Sequence, residues 1–213
     1  MSDFIRGFLA GKIGSTSEWR REAASMLVPE SQIPQWKKRV GPDFLHVHHY
    51  CFGLSWLSKA EDPENRSRAA WAYRQAVGEI DYTRSKSRPG APLWEVMSID
   101  YARALAGNGQ WGESQAVFQD LLADNPSNSD IWVAYAKQLK RRRKLNDAIA
   151  LLEQGLEKAN KKGPLLYWLA IYQFDLGDLT RAAETTARAE AAGMKVDSLK
   201  RRLGRTAVPA AAD

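Results

Sequence analysis

All three histidines and the only cysteine of this 213-residue chain fall in one stretch, His46-Val47-His48-His49-Tyr50-Cys51. Imidazole nitrogens and a thiolate are zinc ligands, so the cluster raises a metal site first. At about 100° per residue His46 and His49 share one side of a helix, while His48 and Cys51 share nearly the opposite side. One helix therefore cannot bring all four to a single ion, and packing is the preferred role for these histidines. A lone cysteine also excludes an internal disulfide framework and a four-cysteine zinc site. Gly7-Phe8-Leu9-Ala10-Gly11-Lys12-Ile13 resembles a phosphate-binding loop but is one residue short, and Ile13 stands where Ser or Thr would meet Mg²⁺. There is no Gly-x-Ser-x-Gly elbow, no His-Glu-x-x-His helix and no dinucleotide glycine fingerprint. Acidic neighbours such as Glu61 and Asp62 suit a solvated face. The residues point to a non-enzyme, with no cofactor and no metal expected.

Charge is the clearer chemical signal. Thirty-one Lys and Arg face 25 Asp and Glu, a net +6 that favours acidic partners. The densest run is Lys137-Gln138-Leu139-Lys140-Arg141-Arg142-Arg143-Lys144, and helical spacing puts Lys137, Lys140, Arg141 and Lys144 on one side. Such a patch either offsets the negative end of a helix dipole or binds an anionic partner. The apolar share of 44% and charged share of 26% fit one core-forming domain with short additions. No apolar run approaches the roughly 20 residues of a membrane span, and Met1 to Leu9 lack a basic leader. The chain is expected to be cytoplasmic.

The elements that must position these charges repeat every 34 residues. Ala102, Ala136 and Ala170 share that spacing, as do Gly109, Arg143 and Gly177, and Ser114, Ala148 and Ala182. Aligned units run 95–128, 129–162 and 163–196. The middle one reads Trp132-x-x-Tyr135-Ala136-x-x-Leu139, then Ala148-x-x-x-Leu152. Spacings of three and four place these residues on one helical face, with small residues where backbones must approach. An earlier, degenerate unit at about 46–82 reads His49-x-x-Phe52-Gly53-x-x-Trp56, then Ala69-x-x-x-Tyr73-x-x-Ala76. It holds four extra residues between its halves, enough for a longer helix or a larger turn.

These positions resemble the tetratricopeptide repeat, a helix–turn–helix unit. Arg143 in place of a turn glycine, Asn160 and Met194 in place of a closing proline, and Thr186 in place of a large apolar residue depart from its pattern. The resemblance implies an all-α, right-handed α-solenoid of about four repeats, occupying 42–205. In that register His49 is a large residue facing its partner helix. Residues 1–41 read as an N-terminal helical extension, with a capping box at Ser15-Thr16-Ser17-Glu18 opening a helix to about Leu27. Asp62-Pro63 suits the start of a second helix. Residues 83–92 read as an exposed connection. Over 196–205, Val196, Leu199 and Leu203 form the apolar face of a cap, with Lys200, Arg201 and Arg202 pointing away. Residues 206–213 read as a tail. Of the eight tryptophans, Trp56, Trp71, Trp111 and Trp132 fall at or beside core positions, while Trp19 and Trp36 fasten the extension or, at Trp36-Lys37-Lys38-Arg39, make an aromatic-basic contact.

In such arrays the first helix of each repeat lines a concave groove. Carried over by register, that groove is lined by Tyr50, Ile99, Val133 and Tyr167, then by Leu54, Arg103, Lys137 and Ile171, then by Ala106, Lys140 and Phe174 with Arg141 beside them. The resemblance thus implies a non-catalytic adaptor or scaffold that holds a peptide or helix of another protein, acidic with apolar anchors. Its lysine–asparagine carboxylate clamp is not expected, because Tyr50 and Leu54 occupy those places. The alternatives are RNA or another anionic polymer on the basic runs at 137–144 and 199–205 with Arg84, Lys86 and Arg88, and, less favoured, a metal-dependent protein using His46 to Cys51. An array with uncovered ends could also pair with a second copy.

Overall fold

The computed structural model describes Pro34, Lys37, Lys38 and residues 41–207. The extension helix expected at Ser15 to Leu27, the loop-like segment at 7–13, Trp19, Trp36 and most of the tail lie outside the described residues. Over residues 41–207 the chain forms nine α-helices and two 3-10 turns, with no strand among the described residues. We number the helices α1 (Val47–Glu61), α2 (Ala69–Lys86), α3 (Trp94–Gly107), α4 (Trp111–Asp124), α5 (Ser129–Arg141), α6 (Leu145–Lys158), α7 (Lys162–Leu176), α8 (Leu179–Ala191) and α9 (Asp197–Ala207). The described residues form an all-α helical repeat. The chain divides into two compact units inside α4, the first ending at Ser114 and the second beginning at Gln115.

The 34-residue spacing has a backbone cause at the turns. Gly109, Arg143 and Gly177 all adopt left-handed backbone, at φ of 87°, 61° and 89°. One residue later, the amides of Gln110, Lys144 and Asp178 donate to the carbonyls of Leu105, Leu139 and Gln173 at 2.9, 3.0 and 3.0 Å. This pairing closes the preceding helix over its orphan carbonyls and turns the chain towards the next. Arg143 therefore does the work of a glycine despite its side chain. The small positions also have a packing cause: Ala102, Ala136, Ala148, Ala170 and Ala182 are all fully buried.

In the first unit, α1 packs along α2, and α2 along α3. The core joins Tyr50, Leu57, Ile80 and Met97. Gly53 lets α1 and α2 meet, since a Cβ there would sit 2.4 Å from Ile80 Cγ1. The extra residues of this unit form a 3-10 turn, Pro63–Arg68, capped by the Asp62 carboxylate, which accepts from the Glu64 amide at 2.9 Å. Asp62 thus caps this turn, not α2 itself. The connection expected at 83–92 is shorter than its composition implied, because α2 continues to Lys86. Buried Thr83 donates to the carbonyls of His46 and Glu79 at 3.2 and 3.3 Å. The Arg84 guanidinium lies 4.8 Å from the Trp94 ring centre and 5.1 Å from that of Tyr101. Those contacts draw the segment into α2. Trp71, expected at or beside a core position, is 48% exposed and meets Trp56 edge-on at 4.7 Å.

In the second unit, α5, α6, α7, α8 and α9 pack in sequence order, and α5 also touches α7. Phe118 stacks on Tyr135 at 4.9 Å. Trp132 is buried, and its Nε1 donates to the Pro126 carbonyl at 2.8 Å. Gly155 brings α6 against α7 and α5, because a Cβ there would lie 2.5 Å from Leu165 and 2.9 Å from the Trp132 ring. At the cap, Val196 just before α9 and Leu199 within it are buried, while Leu203 is half-buried. Its cations do not all point away: Lys200 pairs with Glu190 of α8 at 2.6 Å, and Arg202 returns to α7.

Candidate functional site

The residues expected to line one groove separate into two environments. In the first unit they are largely consumed by the fold. Tyr50 is fully buried, and its hydroxyl donates to the Asp100 carboxylate at 2.7 Å. Leu54 is buried in the same core, and Ile99 is half-buried. Arg103 donates to Asp100 at 2.5 Å and to Glu61 at 2.9 Å, tying α3 to α1. Burial alone would lower the guanidinium's pKa, but Asp100 and Glu61 outweigh it and raise that pKa. Burial also raises the Asp100 carboxyl above its usual range, against the pull of Arg103 and the Tyr50 hydroxyl. Tyr50 and Arg103 thus form a structural polar network. Neither Tyr50 nor Leu54 presents a surface to a partner.

The histidine stretch opens α1. His49 Nδ1 and Glu79 Oε2 of α2 are 2.6 Å apart, so His49 does face its partner helix. The His46 and His49 rings meet Tyr82 at 5.5 and 4.3 Å, and His48 meets His49 at 4.3 Å. Burial, then the neighbouring charges of His49 and His46, lower the His48 pKa. Burial pushes the Cys51 thiol up to about 11. No group of three or more His, Cys, Asp or Glu among the described residues is arranged to hold a metal ion.

In the second unit the expected cations and aromatic residues come together. Val133 is buried, while Lys137, Tyr167, Ile171 and Phe174 are half-buried and Lys140 and Arg141 are exposed. Lys137 Nζ lies 4.1 Å from the Trp168 ring centre, and Lys140 Nζ lies 5.4 Å from that of Tyr172. An ammonium over an aromatic face is held by the ring quadrupole, which fixes a long, flexible side chain in place. Lys140 also donates to Asp175 Oδ2 at 2.5 Å. From α9, Arg202 lies 4.3 Å from the Phe174 ring centre and donates to Asp175 Oδ1 at 3.1 Å. The face is thus a mosaic: α7 supplies rings and a carboxylate, and α5 and α9 supply the cations that rest on them.

Sequence reasoning omitted Trp168 and Asp175 from this face and turned Arg202 away from it. Their signal was present but faint. Asp175 follows Phe174 on the same helix and sits 35 residues from Lys140, one step off the repeat period. Arg202 could be found only from the docking of α9.

No helix among the described residues is long and apolar enough to cross a membrane. A tetratricopeptide repeat family model matches residues 96–137, which run from α3 through α4 into α5 and end at Lys137. No curated protein and no solved structure matches the chain significantly.

Proposed function

We propose that this chain, whose residues 96–137 match a tetratricopeptide repeat model, is a non-catalytic adaptor that takes a segment of another protein on the α5–α7 face of its second unit. Tetratricopeptide repeats generally mediate protein–protein interaction and are typically non-catalytic. The segment that suits this face is acidic with an apolar anchor. Lys137, Lys140 and Arg141 supply attraction, and the half-buried Tyr167, Ile171 and Phe174 supply apolar surface close by. Charges of this kind chiefly accelerate encounter, whereas burial of an apolar anchor slows release. The observation that carries the reading is the seating of Lys137 and Lys140 on the rings of Trp168 and Tyr172. Cations held in this way lose little further side-chain freedom when a carboxylate arrives.

The anionic-polymer reading has less support. A phosphate backbone is best met by an unbroken row of cations. Here Lys144 and Lys200 each pair with a carboxylate of the chain itself, which interrupts the runs at 137–144 and 199–205. The test is an affinity pull-down with mass spectrometry, comparing wild type with the Lys137→Glu/Lys140→Glu double variant. A genuine partner is retained by wild type and depleted about tenfold or more by the double reversal, a loss of about 1.4 kcal/mol or more. Equal recovery on the two proteins rejects this face.

A further inference from the structure

We propose that Asp175 is a built-in occupant of a carboxylate seat on this face, and that an acidic partner segment docks by displacing it. The inference rests on the adaptor reading above and adds the step that gates it. Two cations from helices far apart in sequence converge on the two oxygens of one carboxylate: Lys140 of α5 on Oδ2 at 2.5 Å and Arg202 of α9 on Oδ1 at 3.1 Å. Neither cation depends on Asp175 alone for its position. Lys140 also lies over the Tyr172 ring, and Arg202 lies 4.3 Å from the Phe174 ring centre. The rings belong to α7 and stay when the carboxylate swings out, so the seat outlasts its occupant.

Energetics permit the exchange. The Lys140 side chain is 43% exposed and that of Asp175 is 23% exposed. Ion pairs this open to water hold only weakly, so releasing Asp175 to solvent strands no buried charge. An incoming carboxylate meets the same two cations, with the positive charge of Lys137 and Arg141 close by on the same helix as Lys140. The Tyr172 hydroxyl stays buried without a hydrogen-bond partner beside this seat. Asp175 thereby sets a threshold. A segment with a single carboxylate gains little, since it only replaces one already present, whereas a segment with several also feels the net positive charge around the seat. The device selects for density of acidic residues rather than for their mere presence.

The test uses the full chain and a fluorescein-labelled synthetic peptide of glutamates around a leucine pair, with a glutamine-for-glutamate counterpart as the neutral probe. Asp175→Asn keeps the shape of the side chain and removes its charge. It is expected to tighten binding of the glutamate peptide about threefold, the size of an exposed ion pair, and to leave the glutamine peptide unchanged. Asp175→Ser gives a second variant of the same sense, with helical circular dichroism confirming that both fold. Wild-type binding that is lost in Lys137→Glu/Lys140→Glu but unchanged or weakened by both Asp175 variants overturns the displacement and leaves the adaptor reading standing. Equal tightening towards the neutral peptide also overturns it, because the effect would then not be exchange of carboxylates. No binding of the glutamate peptide by wild type or by either Asp175 variant overturns the displacement together with the face it acts on.

Discussion

At the scale of single residues, the first unit shows how a fold can absorb groups that look functional. Tyr50, Asp100, Arg103 and Glu61 form one connected set, with the Tyr50 hydroxyl and the Arg103 guanidinium both ending on Asp100. Burial is the dominant influence on Asp100 and raises its pKa. A carboxyl whose folded value lies above its unfolded one adds stability that is complete below the unfolded value and lost as pH rises through the folded one. Relative to Asp100→Asn, wild type should therefore lose unfolding free energy as pH is raised from about 4 towards neutrality, read from urea midpoints at each pH. A parallel pH dependence in the two proteins would contradict the burial argument. Cys51 offers a second check. With a thiol pushed up to about 11, only about 0.1% is thiolate near pH 8. Alkylation by iodoacetamide should be slow in the folded protein and rise sharply in urea, and rapid native labelling would place Cys51 in a different environment.

At the scale of elements, the turns and close helix contacts determine where each face points. Arg143 holds the left-handed conformation that glycine holds at 109 and 177. A side chain in that region costs about 1 kcal/mol, so Arg143→Gly should stabilise the second unit by about 0.5–1 kcal/mol, and Gly177→Ala should destabilise it by about as much. Thermal melts of the two variants should move in opposite directions; a shared direction would mean that the turn is not the controlling feature. Gly53 tests the α1–α2 contact. A Cβ there meets the fully buried Ile80 at Cγ1, close to its backbone rather than at a free end. Gly53→Ala should cost about 1–3 kcal/mol, with the loss read as a lower urea midpoint. A neutral result would show that the helices can separate without penalty.

At the scale of the whole molecule, net charge and its distribution govern association. A net charge of +6 acts on anionic groups over a screening length of about 10 Å at moderate salt. Raising salt from about 50 to about 500 mM should weaken binding of the glutamate peptide several-fold in wild type and much less in Lys137→Glu/Lys140→Glu, as measured by fluorescence anisotropy. Equal slopes would assign the attraction to diffuse charge rather than to this face. Much of the architecture was legible from local pattern. The 34-residue spacing of Ala102, Ala136 and Ala170 marks where helices touch, and the spacing of Gly109, Arg143 and Gly177 marks where the chain reverses, because steric fit and left-handed backbone act on neighbouring residues. The candidate face was only half legible, since helical register places a side chain on a side of its helix without saying what else reaches that side. Tyr50 was withdrawn from the surface by Asp100, 50 residues away. Asp175 joined the face because Lys140 and Arg202, 35 and 27 residues away, converge on it. Periodicity thus determined the helices, their turns and their small contact residues, while tertiary structure alone decided which charges remain at the surface, because the pairing of charges depends on distances in space that no spacing along the chain encodes.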